Sequence, residues 1–456
     1  MKLFADGTRG PELRELHKEI WRLAWPAFVG QGLQSVVMFV SRIIVGQLGE
    51  EAYNSVNVGL MVFFVIITVV AAVGVGTTAL VAQAWGAGDK KRAGLVLQQS
   101  LIFGFALTLI IALMGPALAN IIYRLLGADR ATVEAGTQFL SVLFVAIPIM
   151  APGFFLAAAL RGAGDTRTPM IVGLIMGLLS LAFSYGLILG RLGLPKMGTL
   201  GAALAIDGAF FAFTLILALL FVFNKTILKI PRQGWRPDFR TGMSIFRIGI
   251  PSALEWVLIQ LGIIIYIFVI YRYGKDAVAG YFTGIAILTF AQTPAFGLQA
   301  AATTMVGQAV GARNFARAES VFRHCVLAGM IFMALIGVLV YFLSYPSLLL
   351  FFFNKLSADS IAYAREFSIL VIFVMPLMGA AFTIAGGLRG AGDTVQPLIA
   401  STTGIYGGRI LFAFAVYYLS TPPIILVWCS MFPDMIIRIA IMAVRLASGK
   451  WKTIKV

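Results

Sequence analysis

Apolar positions in this chain come in long blocks rather than in stripes. Each block runs with few charges for at least the roughly 20 residues that a helix needs to cross a bilayer's hydrocarbon. Twelve blocks are expected to be transmembrane helices, at about 20–48, 56–84, 95–121, 132–160, 168–190, 199–223, 245–272, 278–309, 319–347, 364–387, 396–419 and 423–445. Several exceed the spanning minimum, so tilt or protrusion beyond the bilayer is expected.

The blocks form two similar sets of six. Arg161-Gly162-Ala163-Gly164-Asp165-Thr166 returns as Arg389-Gly390-Ala391-Gly392-Asp393-Thr394, each copy followed by a proline, Pro169 and Pro397. Val81-Ala82-Gln83-Ala84-Trp85-Gly86-Ala87 matches Val306-Gly307-Gln308-Ala309-Val310-Gly311-Ala312, and Pro26 matches Pro251. Repeats at a fixed offset mark duplicated structure. Six spans per half is an even number, so both halves enter the membrane in the same direction. The expected fold is an all-α polytopic membrane protein, twelve transmembrane helices in two six-helix lobes with a parallel pseudo-two-fold repeat. The expected domains are an N-lobe at 1–223, a cytoplasmic linker at 224–244 and a C-lobe at 245–456 with a basic tail. Such folds place substrate between the lobes near the midplane and alternate access by rocking them.

Composition agrees: 60% of residues are hydrophobic and 12% charged, against about 25% charged in a soluble domain. The formal net charge is +16. Lys90, Lys91, Arg92, Arg161, Arg167, Lys225, Arg313 and Arg317 follow even-numbered spans, and the alternate loops are poorer in basic residues. The basic loops are therefore expected in the cytoplasm, with both termini. Topology accounts for the charge, so nucleic acid is not an expected partner. Cys325 and Cys429 stand in no ligand spacing, so neither a metal nor a cofactor is expected. The charged start, Met1 to Arg22, is not read as a cleaved signal peptide.

Ionisable groups inside spans need a reason, because each costs at least about 2.5–3.5 kcal/mol to insert. Glu255 lies about ten residues into the seventh span, with no basic residue within four positions. It is expected to be an unneutralised acid, suited to binding and releasing a proton or cation. Asp207 in the sixth span and Arg42 in the first are expected at similar depth and so to approach each other, as a fixed or a switchable pair. Asp434 and Arg438 have the spacing of an intrahelical ion pair, while Arg409 has no partner evident from sequence. Gln34, Asn54, Asn57, Gln260, Tyr281, Thr283 and Gln292 are candidates to line a substrate chamber, with Met38, Phe39, Phe64, Phe290 and Met378 as adaptable apolar surface. In the doubled Gly-rich loops, the aspartate or threonine is expected to cap the next helix and the arginine to sit at the headgroups. Neither the lysine nor the preceding strand of a nucleotide-binding loop is present.

The doubled Leu-Arg-Gly-Ala-Gly-Asp-Thr motif, the Gln-Ala-x-Gly-Ala stretches and Val45-Gly46-Gln47-Leu48-Gly49 resemble the multidrug and toxic compound extrusion (MATE) family over nearly the whole chain. The resemblance implies a secondary antiporter of the cell (inner) membrane, exporting cationic or amphipathic organic compounds in exchange for protons or Na⁺. It is expected to be a monomer and not an enzyme. A flippase for a lipid-linked precursor is the alternative within the same superfamily. The resemblance also implies two N-lobe aspartates in many prokaryotic members. Here those positions are Ser41 and Ser184, which cannot take up a proton. Leu254-Glu255-Trp256 is similar to the motif of members that couple through a C-lobe carboxylate, so Glu255 is the expected coupling residue and Asp207 the second candidate.

Overall fold

The computed structural model describes residues 10–48, 50–125, 130–231, 235–347, 356–420 and 423–454. Among them there are helices and no strands. The first half contributes α1 (Gly10–Gly46), α2 (Glu50–Gly86), α3 (Lys90–Leu125), α4 (Arg130–Ala163), α5 (Arg167–Phe183) and α6 (Gly198–Val222). The second contributes α7 (Phe239–Tyr271), α8 (Lys275–Ala291), α9 (Thr293–Gly311), α10 (Phe315–Leu343), α11 (Ala358–Gly390), α12 (Val395–Thr402), α13 (Leu411–Ser420), α14 (Ile424–Trp428) and α15 (Met431–Ala447). Among the described residues eleven spans are long and apolar enough to cross a membrane, or twelve if α8 and α9 form one span.

Among the described residues four spans are not continuous α-helices, the twelfth being interrupted between α14 and α15. The eighth, expected unbroken, bends by 41° between α8 and α9. Gln292 caps both pieces, and Pro294 in the first turn of α9 has no N–H to continue the ladder. The fifth and eleventh pass through π-helical turns, Ser184–Ile188 and Thr403–Ile410. Such turns widen a helix locally and recur at functional sites.

Packing divides the chain into two compact units, Val29–Ile250 and Met1–Phe28 with Pro251–Val456. The division falls inside α1 and α7, not in the linker. Ile20, Leu23 and Ala24 from the start of α1 are buried in the core of the second unit, with Leu298, Ala301 and Ala302. Ile245 and Ile248 from the start of α7 are buried in the first unit. The two crossings are repeats of one contact. Gly249 lies against the Ala72 carbonyl, and Gly297 against the Ala24 carbonyl. Ala24 and Gly249 are 225 residues apart, as are Ala72 and Gly297. A side chain at either glycine would occupy the space of the facing backbone, so glycine sets the close approach.

The linker is tied down. The buried Gln99 of α3 donates from Nε2 to the Arg236 carbonyl at 2.9 Å, and its Oε1 accepts from the Asp238 amide at 2.8 Å. Asp238 in turn accepts from the Thr241 hydroxyl at 2.6 Å and the Arg240 amide at 3.1 Å. These bonds, led by that of Thr241, hold its carboxyl below the usual carboxylate range. With that cap in place α7 begins at Phe239, earlier than the apolar pattern suggests.

Candidate functional site

Two clusters of buried charge occupy the second unit. Glu255 lies midway along α7 and is 4% exposed. Its Oε2 accepts from Arg389 Nη2 at 2.7 Å, and its Oε1 from the Ser401 hydroxyl at 2.7 Å. Arg389 comes from the end of α11 and Ser401 from α12. The expectation of a carboxylate without a counter-charge is therefore corrected for this conformation. The helix itself offers no partner, but tertiary packing brings one from 134 residues away. Arg389, expected at the headgroups, is correspondingly buried.

The second cluster centres on Asp434 of α15, which is fully buried. Arg438 of the same helix donates from Nε at 2.6 Å and from Nη2 at 3.3 Å, the pair that the four-residue spacing predicts. Arg409 supplies a second guanidinium, with Nη2 at 2.8 Å from Asp434 Oδ2. The partner of Arg409 missing from the sequence reading is thus Asp434. Arg409 rides on the π-helical turn, and its guanidinium lies 5.8 Å from the Tyr266 ring centroid. Gly404 of that turn faces Asp434 so closely that a Cβ would fall 2.6 Å from the carboxylate oxygen. Nearby, Arg445 pairs with Asp393 at 2.6 Å. The two loop aspartates therefore differ in use. Asp165 closes the first turn of α5 by accepting from the Thr168 amide at 3.0 Å and its hydroxyl at 2.6 Å.

The first unit contains a cavity of about 160 Å³ between α1, α2, α4, α5 and α6. Gln34, Ser41, Arg42, Asn57, Ser180 and Ser184 give it polar groups. Met38, Phe64, Phe154, Met176 and Phe210 form its apolar wall. Ser41 and Ser184, the two positions at which the resemblance leads one to expect aspartates, thus line one space. Among the described lining residues Arg42 is the one charged group.

Asp207 is not on that wall, although its neighbour Ile206 is. Among the described residues no ion pair joins it to Arg42, and its buried Oδ1 has no hydrogen-bond partner. The two side chains face different ways: Arg42 lines the cavity with Ala202, Ile206, Ala209 and Phe210 of α6, and Asp207 is not on that face.

The chamber candidates separate accordingly. Gln34 and Asn57 line the cavity with Met38 and Phe64. The side chain of Asn54 lies outside the described residues. Tyr281 is core, with ring contacts to Tyr266 and Phe367, and Thr283 is buried and bonded to its own helix at Ala279. Met378 is core as well, Gln292 sits at the bend, and Gln260, Phe39 and Phe290 are exposed on their helices. Sequence reasoning passed over Ser401 and the aromatic residues of α4 and α6. It held the signal for the cavity in Ser41 and Ser184, read as departures rather than as a shared wall.

The family model described as MatE matches residues 26–186 and 251–415, once in each half. The chain is 28% identical to the probable multidrug resistance protein NorM of Thermotoga maritima over 457 residues, covering 99% of this chain and 96% of that protein. It is 28% identical to the probable multidrug resistance protein YoeA of Bacillus subtilis, covering 88% and 87%. Among solved structures, an outward-facing multidrug resistance MATE transporter of the MOP superfamily superposes with a TM-score of 0.89 at 23% identity, covering 99% of this chain and 100% of that one. A MOP superfamily transporter from Pyrococcus furiosus, described as having a binding pocket of reverse polarity, gives 0.88 at 23% with the same coverage.

Proposed function

Because the chain belongs to the MatE family, we propose that it is a secondary antiporter of the inner membrane, exporting amphipathic, drug-like organic compounds in exchange for protons. Alternating access of its two six-span halves carries the cargo, and the basic loops and both termini lie in the cytoplasm. The relatives' description as multidrug resistance proteins supports the cargo class. The multi-pass membrane architecture and the absence of paired catalytic groups from the sequence support a transporter rather than an enzyme.

The observation that carries the coupling is Glu255, mid-span, with each oxygen satisfied by a group from another helix. A proton can reach this carboxylate only by competing with Arg389. Protonating Glu255 in place would strand Arg389 inside the unit, and breaking a buried pair from one side costs about 3–5 kcal/mol. Proton entry and release of Arg389 are therefore one event, which moves α11 relative to α7. Two ligands that bias one such equilibrium in opposite directions are coupled. Na⁺ fits worse. It would share the carboxylate with a guanidinium, and a hard cation wants several oxygen ligands, of which Ser401 supplies one.

The test is export of a fluorescent drug from liposomes holding the purified full chain, driven by a pH gradient and, separately, by a Na⁺ gradient. The pH gradient is expected to drive export, and Glu255→Gln to abolish it while the protein still elutes as a folded particle. Export driven by Na⁺ alone would overturn the proton assignment. Export retained by Glu255→Gln would pass the coupling role to Asp207.

A further inference from the structure

We propose that the cavity of the first unit takes an amphipathic anion, with Arg42 as its counter-charge. This rests on the export reading above and names the class of cargo. Size and lining both bear on it. About 160 Å³ is the scale of an engineered apolar cavity of about 150 Å³ that takes up benzene, so one aromatic ring fits. Met38, Phe64, Phe154, Met176 and Phe210 would hold such a ring, the thioethers adapting to its outline.

The polar part of the cargo is set by charge. Arg42 offers a planar fork of donors suited to a carboxylate, sulfonate or phosphate. Gln34, Asn57, Ser41, Ser180 and Ser184 add neutral hydrogen-bonding groups. Among the described lining residues none is acidic. Asp207 is the nearest candidate acid in sequence to the wall of α6, yet it does not line the cavity. A cationic cargo would lie against Arg42 with no carboxylate to offset it. An anion is attracted to the same guanidinium, which is exposed and so within reach of an entering ligand.

The π-helical turn contributes to this geometry. Ser184 opens the turn and Ile188 closes it, and both line the cavity. The position at which a carboxylate would most directly reverse the polarity is thus held on the wall by the backbone itself. This yields a variant whose expected effect is a gain rather than a loss.

The test uses three probes with one phenyl ring each: benzenesulfonate, phenyltrimethylammonium and the neutral benzenesulfonamide. Binding to the purified full chain is measured by isothermal titration at millimolar probe. Benzenesulfonate is expected to bind at least about tenfold more tightly than phenyltrimethylammonium, a difference of about 1.4 kcal/mol. Arg42→Gln should bring the two within about twofold, and Arg42→Lys should keep part of the preference. Should Arg42→Gln fail to fold, Ser184→Asp serves instead, and it should reverse the order. The inference is overturned if phenyltrimethylammonium binds the wild type more tightly, if neither charged probe binds, or if the preference survives Arg42→Gln. The two readings fail separately. Arg42-dependent sulfonate binding without gradient-driven transport of any probe upholds the anion site and removes the export reading. Export of phenyltrimethylammonium by a protein that does not bind sulfonate does the reverse.

Discussion

Replacing Asp434 by asparagine should destabilise the protein far more than replacing either arginine that binds it. One carboxylate holds Arg438 at 2.6 Å and Arg409 at 2.8 Å. The trio therefore carries a net charge of +1 in a place where Asp434 has no exposed surface. Asp434→Asn keeps the shape but leaves two guanidiniums without a counter-charge. Removing one partner of a buried pair costs about 3–5 kcal/mol. Arg438→Gln instead leaves Asp434 paired with Arg409, so its cost is that of lost hydrogen bonds to a charged group, about 1.5–3 kcal/mol. Each kcal/mol moves the melting temperature of a unit of 150–250 residues by about 2–4 °C. Asp434→Asn is thus expected to lower it by roughly 6–20 °C, and Arg438→Gln by roughly 3–12 °C. Thermal denaturation in detergent, read by size-exclusion chromatography of the surviving particle, compares the two in one preparation. The reasoning is refuted if Arg438→Gln costs as much as Asp434→Asn, or if the aspartate variant melts within about 2 °C of the wild type.

Two further outcomes follow from single side chains. Gln99→Ala removes both bonds that hold the linker at Arg236 and Asp238. At about 1 kcal/mol each, chymotrypsin should cut after the exposed Trp235 at least about tenfold faster, and an unchanged cleavage rate would show that the clamp is dispensable. Asp207→Asn should be neutral or stabilising within about 1 kcal/mol in the same melting assay, because a buried carboxylate oxygen with no partner contributes nothing that an amide lacks. A loss of several degrees would reveal a partner for Asp207 in the folded state.

The elements were legible because the apolar blocks are long and the breaks between them short, a pattern with few competing explanations. The pair Asp434–Arg438 was legible for a similar reason, since four residues along a helix fix a neighbour. Glu255–Arg389 and Arg409–Asp434 were not, because their partners come from other helices and leave no periodic mark. Depth alone misled for Arg42 and Asp207: it does not say which face of its helix a side chain occupies, and Asp207 lies off the cavity face that Ile206 and Phe210 share. The place where the packing units divide was not legible for a physical reason too. The linker is the longest loop in the sequence, but packing is decided by the crossings of α1 and α7, where Gly249 and Gly297 let one helix touch the next. A glycine inside an apolar block does not announce which backbone it faces.

The repeat shows how the two halves have come to hold different chemistry. The motif pairs Arg161 with Arg389 at an offset of 228, and Gln83 with Gln308 at 225. Asp207 and Asp434, both in the last span of their half, are 227 apart, one residue off the offset of that motif. In the second unit that acid is clamped by two arginines. In the first, the positions that match Arg409 and Arg438 at the motif's offset of 228 are Leu181 and Phe210, and the acid keeps an oxygen without a partner. The difference runs the same way at Glu255, whose equivalent at 225 is Gly30. Buried charge is costly wherever it stands, so a duplicated fold gains little by keeping the same charges twice. Concentrating paired acids and arginines in one unit leaves the other free to keep an open, largely apolar cavity. On the proposed reading, ion coupling and cargo recognition then fall to different halves of one duplicated scaffold.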